Sequence, residues 1–283
     1  MKPFPLPVSM IGPGSQEVEE GPDCLDIPTD MHVFVRPSSD FIEDPVALAA
    51  AREVLTQLRA DMLAQGFGRT PVRLELTGRD DLAIRAINDA LGEGEVSILV
   101  RGGRTARIQE TAFAGVWRVL AYDEDGRLIE DAIEACAIPP RVIDAARAAA
   151  GTDIAVSEAP AGVMNSPALV NELRAASARV RDGAAAEVLN LTLLPLSQAD
   201  LEHLTDTLGT GAITMLSRGY GNCRIASTAL RDTWWVQYFN SMDRPILNTL
   251  EVVDVPEVAL AAKEDWEDTL ERLNERIAAL TVE

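Results

Sequence analysis

The sequence has no long hydrophobic run, and its basic residues are few compared with its acidic residues. No apolar stretch approaches the roughly 20 residues that a membrane-spanning helix needs, so we expect no membrane insertion. Three prolines lie within the first seven residues, which is unlike the basic segment and apolar helix of a secretory signal. These absences predict a cytoplasmic protein.

The charge balance excludes one large class of partners. There are 25 Lys and Arg residues against 45 Asp and Glu residues, which gives a formal net charge of −20 and a pI of about 4.5. Proteins that bind nucleic acids must neutralise phosphates, and anionic membranes also attract basic surfaces. The sequence therefore predicts no nucleic-acid partner, although its long-range field would attract a basic protein.

Cysteine and histidine are too sparse to form a recognisable metal or disulfide pattern. The cysteines are Cys24, Cys136 and Cys223, widely spaced and without a C-x-x-C pair, and the two histidines, His32 and His203, stand alone. This spacing matches neither a zinc site nor a disulfide framework. No nucleotide-binding loop or catalytic triad motif is present either. We therefore expect no metal, no other cofactor and no enzymatic activity.

An internal duplication organises the chain. A shift of 117 positions places Leu91 on Leu208 and, without any gap, aligns the following residues as far as Pro139 and Pro256. Glycine, arginine and tryptophan recur in register, and such matches are rare by chance. They include Gly92 with Gly209, Gly94 with Gly211, Arg107 with Arg224, Trp117 with Trp234, and Glu134 with Glu251. At the same offset, Leu74 and Leu76 match Leu191 and Leu193.

Each copy has the pattern of an α+β unit. Helical and strand periodicities predict helix, strand, helix, a four-stranded antiparallel meander and a closing helix. The fold class is therefore α+β, with helices packed on a meander sheet and the whole unit duplicated in tandem. We divide the chain into an extended N-terminal segment (1–43), a first repeat (44–150), a linker (151–165) and a second repeat (166–283).

The closing helix of the second repeat is predicted to run from Pro256 towards Leu280. Apolar residues recur along it with alternating spacings of four and three, which suits packing against one helix along a narrow seam. They are Trp266, Leu270, Leu273, Ile277 and Leu280. The simplest expectation is that this helix packs on its own repeat.

The meander of the second repeat is the most distinctive stretch of the chain. Its first hairpin carries Tyr220, Gly221, Asn222 and Cys223 where the first repeat has GRTA at 103–106. Flanking arginines could lower the pKa of the Cys223 thiol, which makes it a candidate nucleophile or metal ligand. Against this, no histidine is near in sequence, and a lone cysteine more often packs in a core.

The following strand is rich in aromatic residues. Trp234 matches Trp117, so both are predicted to be core residues. Trp235 and Phe239 point to the opposite face, where they could lie under a helix or form a binding patch. The retained pairs Arg107 with Glu134 and Arg224 with Glu251 suggest a structural Arg–Glu pair across each meander.

Several of these segments together resemble the HupH/HyaF family of hydrogenase expression and formation proteins. They are GPGSQ at 12–16, SRGYGNCRI at 217–225, WWVQYFNS at 234–241, and ILNTLEVVDVP ending at Pro256. That family is known for a conserved region that can occur twice, as it does here. The resemblance covers most of the chain and is strongest in the second repeat.

The resemblance implies a maturation chaperone for a nickel–iron uptake hydrogenase. Its partners would be the precursor of the iron–sulfur small subunit, before export, and other maturation proteins. The alternative is a scaffold that transiently carries a metal or iron–sulfur cluster through Cys223. The family supplies no catalytic residues. We predict a partner-binding site at Tyr220, Gly221, Asn222, Cys223, Trp235 and Phe239.

Overall fold

In a computed structural model, the described residues are 44–68, 70–156, 158–181, 183–218, 222–240, 242 and 244–280. The predicted extended segment at 1–43 lies outside these residues, as do Tyr220 and Gly221 of the predicted binding site.

The two repeats contain the same elements in the same order. The first repeat comprises α1 (Pro45–Gln65), β1 (Val72–Glu75), α2 (Asp81–Leu91), β2 (Val96–Val100), β3 (Thr105–Glu110), β4 (Val116–Tyr122), β5 (Leu128–Ala135) and α3 (Pro140–Ala149). The second comprises α4 (Ser166–Arg181), β6 (Glu187–Asn190), α5 (Gln198–Leu208), β7 (Ile213–Ser217), β8 (Asn222–Ser227), β9 (Thr233–Phe239), β10 (Pro245–Val252) and α6 (Lys263–Ala279). Short 3-10 helices occupy Leu191–Leu193 and Glu257–Ala259. The predicted α+β duplication is confirmed.

The strands of both repeats form one antiparallel sheet of ten strands. Its order is β1-β5-β4-β3-β2-β7-β8-β9-β10-β6, so the repeats join where β2 pairs with β7. In that pairing Ile98 lies opposite Met215, and these two residues are also equivalent in the duplication. A residue that faces its own equivalent marks a local two-fold axis. The repeats are therefore related by a pseudo-two-fold rotation, as the subunits of a symmetric dimer are.

The two faces of this sheet are covered differently. One face, the shared face, forms a single apolar cluster to which both repeats contribute, including Ile98, Val119, Met215 and Val236. A twisted sheet of ten strands usually curls, and curling brings residues of both halves together on the concave side. The opposite face has two separate clusters, under α1 and α2 in the first repeat and under α4 and α5 in the second.

Trp117 and Trp234 hold equivalent places in the shared face. They are 0% and 1% exposed. The Trp117 indole N–H donates to the carbonyl of Cys136 at 3.0 Å, and that of Trp234 donates to the carbonyl of Val253 at 3.1 Å. Because Cys136 and Val253 are also equivalent, the repeats share a buried hydrogen bond as well as a buried ring. The core prediction for both tryptophans is confirmed.

The closing helix of the second repeat differs from the prediction. It begins at Lys263 and not at Pro256, because Glu257–Ala259 forms a 3-10 helix first. It also packs on the first repeat and not on its own. Trp266 and Leu273 belong to the same cluster as α1 and α2, and the Arg59 Nε of α1 donates to the carbonyl of Leu270 at 3.1 Å. The predicted seam along one helix exists, but its partner is α1.

The closing helix of the first repeat makes the reciprocal contact. Arg147 of α3 donates from Nε to Asp232 of the second repeat at 3.0 Å, and it also pairs with Asp254. Asp232 is equivalent to Gly115, and both have left-handed backbone, with φ of 55° and 75°. A Cβ at Gly115 would lie 3.3 Å from the Trp266 ring, so glycine leaves room for α6. Thus α6 closes the first repeat, and α3 packs on the shared face and links the two repeats.

The gap-free offset ends before α2, which corrects one detail of the alignment. Arg73 lies opposite Glu134 in β5, and Val188 lies opposite Glu251 in β10. Because Glu134 and Glu251 are equivalent, Arg73 corresponds to Val188, at an offset of 115. The structural equivalent of Leu74 is therefore Leu189 and not Leu191. The second repeat gains two residues between β6 and α5.

Glu110, near the α6 contact, predicts a pH dependence of stability. Burial, and to a lesser extent the charges of Glu95 and Asp265, raise the pKa of Glu110 to about 7 from its ordinary value of 4.5. The folded state therefore holds this proton more tightly than the unfolded chain does. Stability should fall as pH rises from about 4.5 through about 7, by on the order of 1–3 kcal/mol.

The variant Glu110→Gln tests this effect. It keeps an oxygen that can accept from the Gly115 N–H, which lies 3.3 Å from the Glu110 carboxylate. Urea unfolding at pH 5 and pH 8 should show a smaller loss of stability in the variant than in the wild type. The control Asp125→Asn removes an exposed carboxylate and should leave the loss unchanged. Equal losses in wild type and Glu110→Gln would contradict the prediction.

Candidate functional site

The candidate site lies in the second repeat, where the β7–β8 hairpin meets the adjacent strand β9. Of its predicted residues, Asn222 is half-buried at the start of β8 and lies opposite Phe239 of β9. Cys223, Trp235 and Phe239 are only 2%, 2% and 4% exposed. The structure thus brings Asn222, Cys223 and Phe239 together, but it buries three of the predicted contact residues.

Cys223 and Tyr238 form a cross-strand pair on the shared face. The first repeat has Ala106 and Ala121 at the equivalent places. Burial, and then the charge of the Glu251 carboxylate, raise the pKa of the Cys223 thiol to about 12, although a hydrogen bond with Tyr238 opposes the shift. A thiol with this pKa is neutral at pH 7 and is a poor nucleophile and metal ligand. The geometry therefore favours a packing role for Cys223.

Trp235 and Phe239 lie on the opposite face, as the strand alternation predicts, but they are not open to solvent. Trp235 packs in the cluster under α4 and α5, and its indole N–H donates to Asn248. The guanidinium of Arg224 lies 4.2 Å from the centre of the Phe239 ring. Of the two alternatives, burial is what the structure shows, and the hypothesis of an exposed patch on this strand is wrong.

The predicted Arg–Glu pair across each meander is also wrong. Arg107 lies opposite Leu120, whereas Glu134 lies opposite Trp117, and Leu120 and Trp117 point to different faces of β4. The arginine and the glutamate therefore project from opposite sides of the sheet. Instead, Arg107 stacks over the ring of Tyr122 at 5.6 Å, as Arg224 stacks over Phe239.

Glu134 has other partners, which close the end of the first repeat. Arg73 of β1 pairs with Glu134 and, at 2.8 Å, with Glu130. Arg141 of α3 pairs with Glu130 and approaches Glu134 to 3.6 Å. Two arginines and two glutamates thus form an ionic network around a glutamate side chain that is 5% exposed.

The second repeat keeps the central glutamate of this network and loses the rest. Arg73 becomes Val188, and at the offset of 117 Glu130 becomes Leu247 and Arg141 becomes Val258. Among the described residues no basic side chain lies within ion-pair distance of Glu251, whose hydrogen-bond donor is the Thr249 hydroxyl at 3.3 Å. Burial, then the charge of Glu257, raise the pKa of Glu251. The second repeat thus retains the carboxylate without the two arginines that pair with its counterpart in the first repeat.

Exposed apolar side chains lie on β6 and β10, the outermost strands of the second repeat, and just after β6. Val188 of β6 is 59% exposed and Ile246 of β10 is 59% exposed. Leu193, in the stretch where the second repeat gains two residues, is 79% exposed. We call Val188, Leu193, Ile246 and Glu251 the β6 edge surface.

Sequence reasoning missed the β6 edge surface for an identifiable reason. The motif at 217–225 is unusual, whereas β6 is short and has no distinctive residues. Two features of the sequence point to this surface. One is the change of offset before α2, and the other is the replacement of the charged residues around the retained Glu251. That comparison requires the strand register, because the offset of 117 pairs Val188 with Pro71 and not with Arg73.

Two absences hold for the described part of the chain. Within it, no group of three or more His, Cys, Asp or Glu side chains is placed to hold a metal ion. Over the same ranges, no helix combines the length and apolarity that crossing a membrane requires.

The fold and this site define a tandemly duplicated α+β protein whose second repeat has a modified outer edge. The model of the HupH hydrogenase expression protein, C-terminal conserved region, matches the chain twice, at residues 48–159 and 163–280. These two matches cover most of the chain, and the chain belongs to this family.

Curated relatives agree with the family over nearly the full length. The hydrogenase expression/formation protein HoxQ of Cupriavidus necator is 42% identical over 279 residues, which is 97% of each chain. HupH of Rhodobacter capsulatus is 40% identical, with 98% of each chain covered, and the hydrogenase-1 operon protein HyaF of Escherichia coli is 33% identical, with 94% covered. The chain thus belongs among proteins of hydrogenase maturation.

One solved structure is also similar. It is the hydrogenase expression protein HupH from Thiobacillus denitrificans, which is 26% identical with a TM-score of 0.39. The match covers 41% of this chain and 96% of that chain.

Proposed function

We propose that this protein is a non-enzymatic assembly chaperone that binds the iron–sulfur small subunit precursor of a nickel–iron uptake hydrogenase before export. The supporting observation is near-full-length similarity to hydrogenase expression/formation proteins. Within that role, the divergence of the second repeat from the first favours one partner site per chain, because a symmetric protein would offer two.

The second repeat offers the surface that such a chaperone needs. It has a β7–β8 hairpin whose sequence differs from that of the first repeat, and its outermost strands, β6 and β10, carry exposed apolar side chains. Exposed apolar groups next to an unpaired strand edge are common features of protein-binding sites. The alternative role for Cys223, carrying a metal or cluster, has less support because the thiol is buried and neutral.

The hairpin provides the first test of this function. We expect the double variant Tyr220→Ala/Asn222→Ala to weaken capture of the small subunit precursor by at least tenfold, with a nearly unchanged melting temperature. Capture is measured with purified full-length chain and purified precursor. The matched control is Arg104→Ala/Thr105→Ala, which changes the corresponding hairpin of the first repeat.

Two outcomes would redirect the proposal. Equal capture by both double variants and by the wild type would place the binding surface away from the hairpin. No capture by the wild type, in the presence of a correctly folded precursor, would contradict small subunit binding itself.

A further inference from the structure

Glu251 occupies a position for which the first repeat shows the natural partner. The equivalent Glu134 is paired with the guanidinium of Arg73, which comes from the adjacent edge strand β1. In the second repeat the edge strand β6 supplies Val188 at that place. The first repeat thus supplies an arginine that neutralises the carboxylate. The second repeat keeps the glutamate but lacks this arginine.

We propose that the β6 edge surface is a docking groove for an extended segment of a partner protein that carries an arginine. The segment adds to the sheet as a strand beside β6, and its guanidinium pairs with Glu251. The inference deepens the proposed function, since it names the chemistry by which the chaperone holds its partner.

The strand spacing permits this pairing. β6 ends the strand order, and no strand of the described residues pairs with its outer edge. A strand added there would lie about 5 Å from β6 and about 10 Å from β10. An arginine on the shared face of the added strand would have to reach past β6, and its long aliphatic stem allows this. The intervening residue is Val188, a short side chain whose apolar surface suits that stem.

Electrostatics favour an arginine over a neutral residue. Burial and the charge of Glu257 raise the pKa of Glu251, which means that the ionised carboxylate is poorly stabilised by its own chain. A guanidinium provides the missing charge and, through its planar fork, two parallel hydrogen bonds. The net charge of −20 also attracts a basic segment over a longer range.

The exposed apolar residues fit the remaining side chains of such a segment. In an added strand, alternate side chains point to the same face as the arginine, and the others point to the opposite face. Val188 and Ile246 offer apolar contacts at this edge, and Leu193 extends them beyond the end of β6. Backbone pairing supplies affinity, and the single arginine supplies selection among apolar segments.

A synthetic peptide tests the site without reference to any particular partner. The probe is a ten-residue peptide of alternating valine and threonine with one central arginine, and the matched control peptide has citrulline, which is neutral and nearly isosteric. Binding to the full-length chain is followed by fluorescence anisotropy, and protection of the amides of residues 187–190 is followed by hydrogen exchange. We expect the arginine peptide to bind at least tenfold more tightly than the citrulline peptide and to protect these amides.

Two variants localise the interaction. Val188→Arg recreates the arrangement of the first repeat, so its own guanidinium should occupy Glu251 and block the peptide without lowering the melting temperature. Glu251→Gln should remove the difference between the arginine and citrulline peptides. Val46→Arg, which adds an arginine at a valine of α1 that is 78% exposed, is the control and should bind as the wild type does.

Each result has a definite consequence. Absence of peptide binding, or equal binding of both peptides to the wild type, would overturn the proposal. A dimer of the chain that Val188→Arg dissociates would assign the edge to a second copy and overturn it as well. If the precursor is captured equally by wild type and Val188→Arg, the proposed function stands and this site fails. If only the peptide binds, the site stands and small subunit binding fails.

Discussion

Replacing Trp266 by alanine is expected to destabilise the first repeat, although the residue belongs to the second. Trp266 is 4% exposed, and its ring meets the edge of Phe67 at a centroid distance of 5.5 Å. Removing a buried aromatic side chain leaves a cavity that the surroundings fill only in part, at a cost of about 3–5 kcal/mol. Urea unfolding would measure this cost.

Hydrogen exchange would show which helices lose stability in the Trp266→Ala variant. The cavity opens between α6 and α1, so amides of α1 should lose protection before those of α4 and α5. The control is Glu267→Ala on the exposed side of the same helix, which should change the stability by less than about 0.5 kcal/mol. Loss of protection confined to α4 and α5 would show that α6 closes its own repeat, contrary to the structure.

The contacts between the repeats predict that the chain unfolds as one cooperative body. The 10-stranded sheet joins the repeats through β2 and β7, and the closing helices join them a second time. A hydrogen bond from the Thr269 hydroxyl to the carbonyl of Ala114, at 3.1 Å, fixes α6 against the loop before β4. We expect unfolding of the two repeats to coincide, since loss of α6 would expose the core of the first repeat and loss of α3 would expose the shared face.

Much of the fold could be predicted from the sequence because the duplication provides its own check. Matches such as Trp117 with Trp234 identify core positions that a single copy could not distinguish from surface aromatics. Strand alternation also placed Trp235 and Phe239 on the correct face. These predictions depend on local periodicity and on internal comparison, both of which the sequence contains directly.

The packing of α6 on the first repeat could not be predicted in the same way. The seam on α6 indicates that one helix is its partner, but a seam does not state which helix. Gly115 and Asp232 determine which helix packs beside each loop. Gly115 leaves space for Trp266 of α6, and Asp232 accepts a hydrogen bond from Arg147 of α3. Their meaning appears only when the loops and the helices are placed together in space.

The candidate site was only partly accessible to sequence reasoning for a related reason. The unusual hairpin predicts a site at Cys223, Trp235 and Phe239, which are buried, because a rare sequence does not by itself indicate exposure. The retention of both Glu251 and its equivalent, Glu134, predicts a structural role for each. The functional interest of Glu251 arises from what surrounds it, and Val188 can be compared with Arg73 only once the strand register is known.

A buried ion pair on the opposite face of the first repeat provides the second large effect. Arg118 is 4% exposed, and its Nη1 lies 2.7 Å from the carboxylate of Asp131. Its Nε donates to Asn88 of α2 at 2.7 Å. At the equivalent positions of the second repeat, Trp235 donates to Asn248. The same pair of positions therefore holds an ion pair in the first repeat and a neutral hydrogen-bonded pair in the second.

We expect Arg118→Leu to lower the free energy of unfolding by about 3–5 kcal/mol, because it leaves the buried carboxylate of Asp131 without its counter-charge. The double variant Arg118→Trp/Asp131→Asn transfers the neutral pair of the second repeat and should recover more than half of that loss. The single variants Arg118→Trp and Asp131→Asn, the latter of which strands the guanidinium, complete a double-mutant cycle in urea unfolding. A double variant no more stable than Arg118→Leu would show that α2, packed beside Arg118, cannot accommodate the indole. A loss below about 1 kcal/mol in Arg118→Leu would contradict the assignment of the ion pair as the group that holds β4, β5 and α2 together.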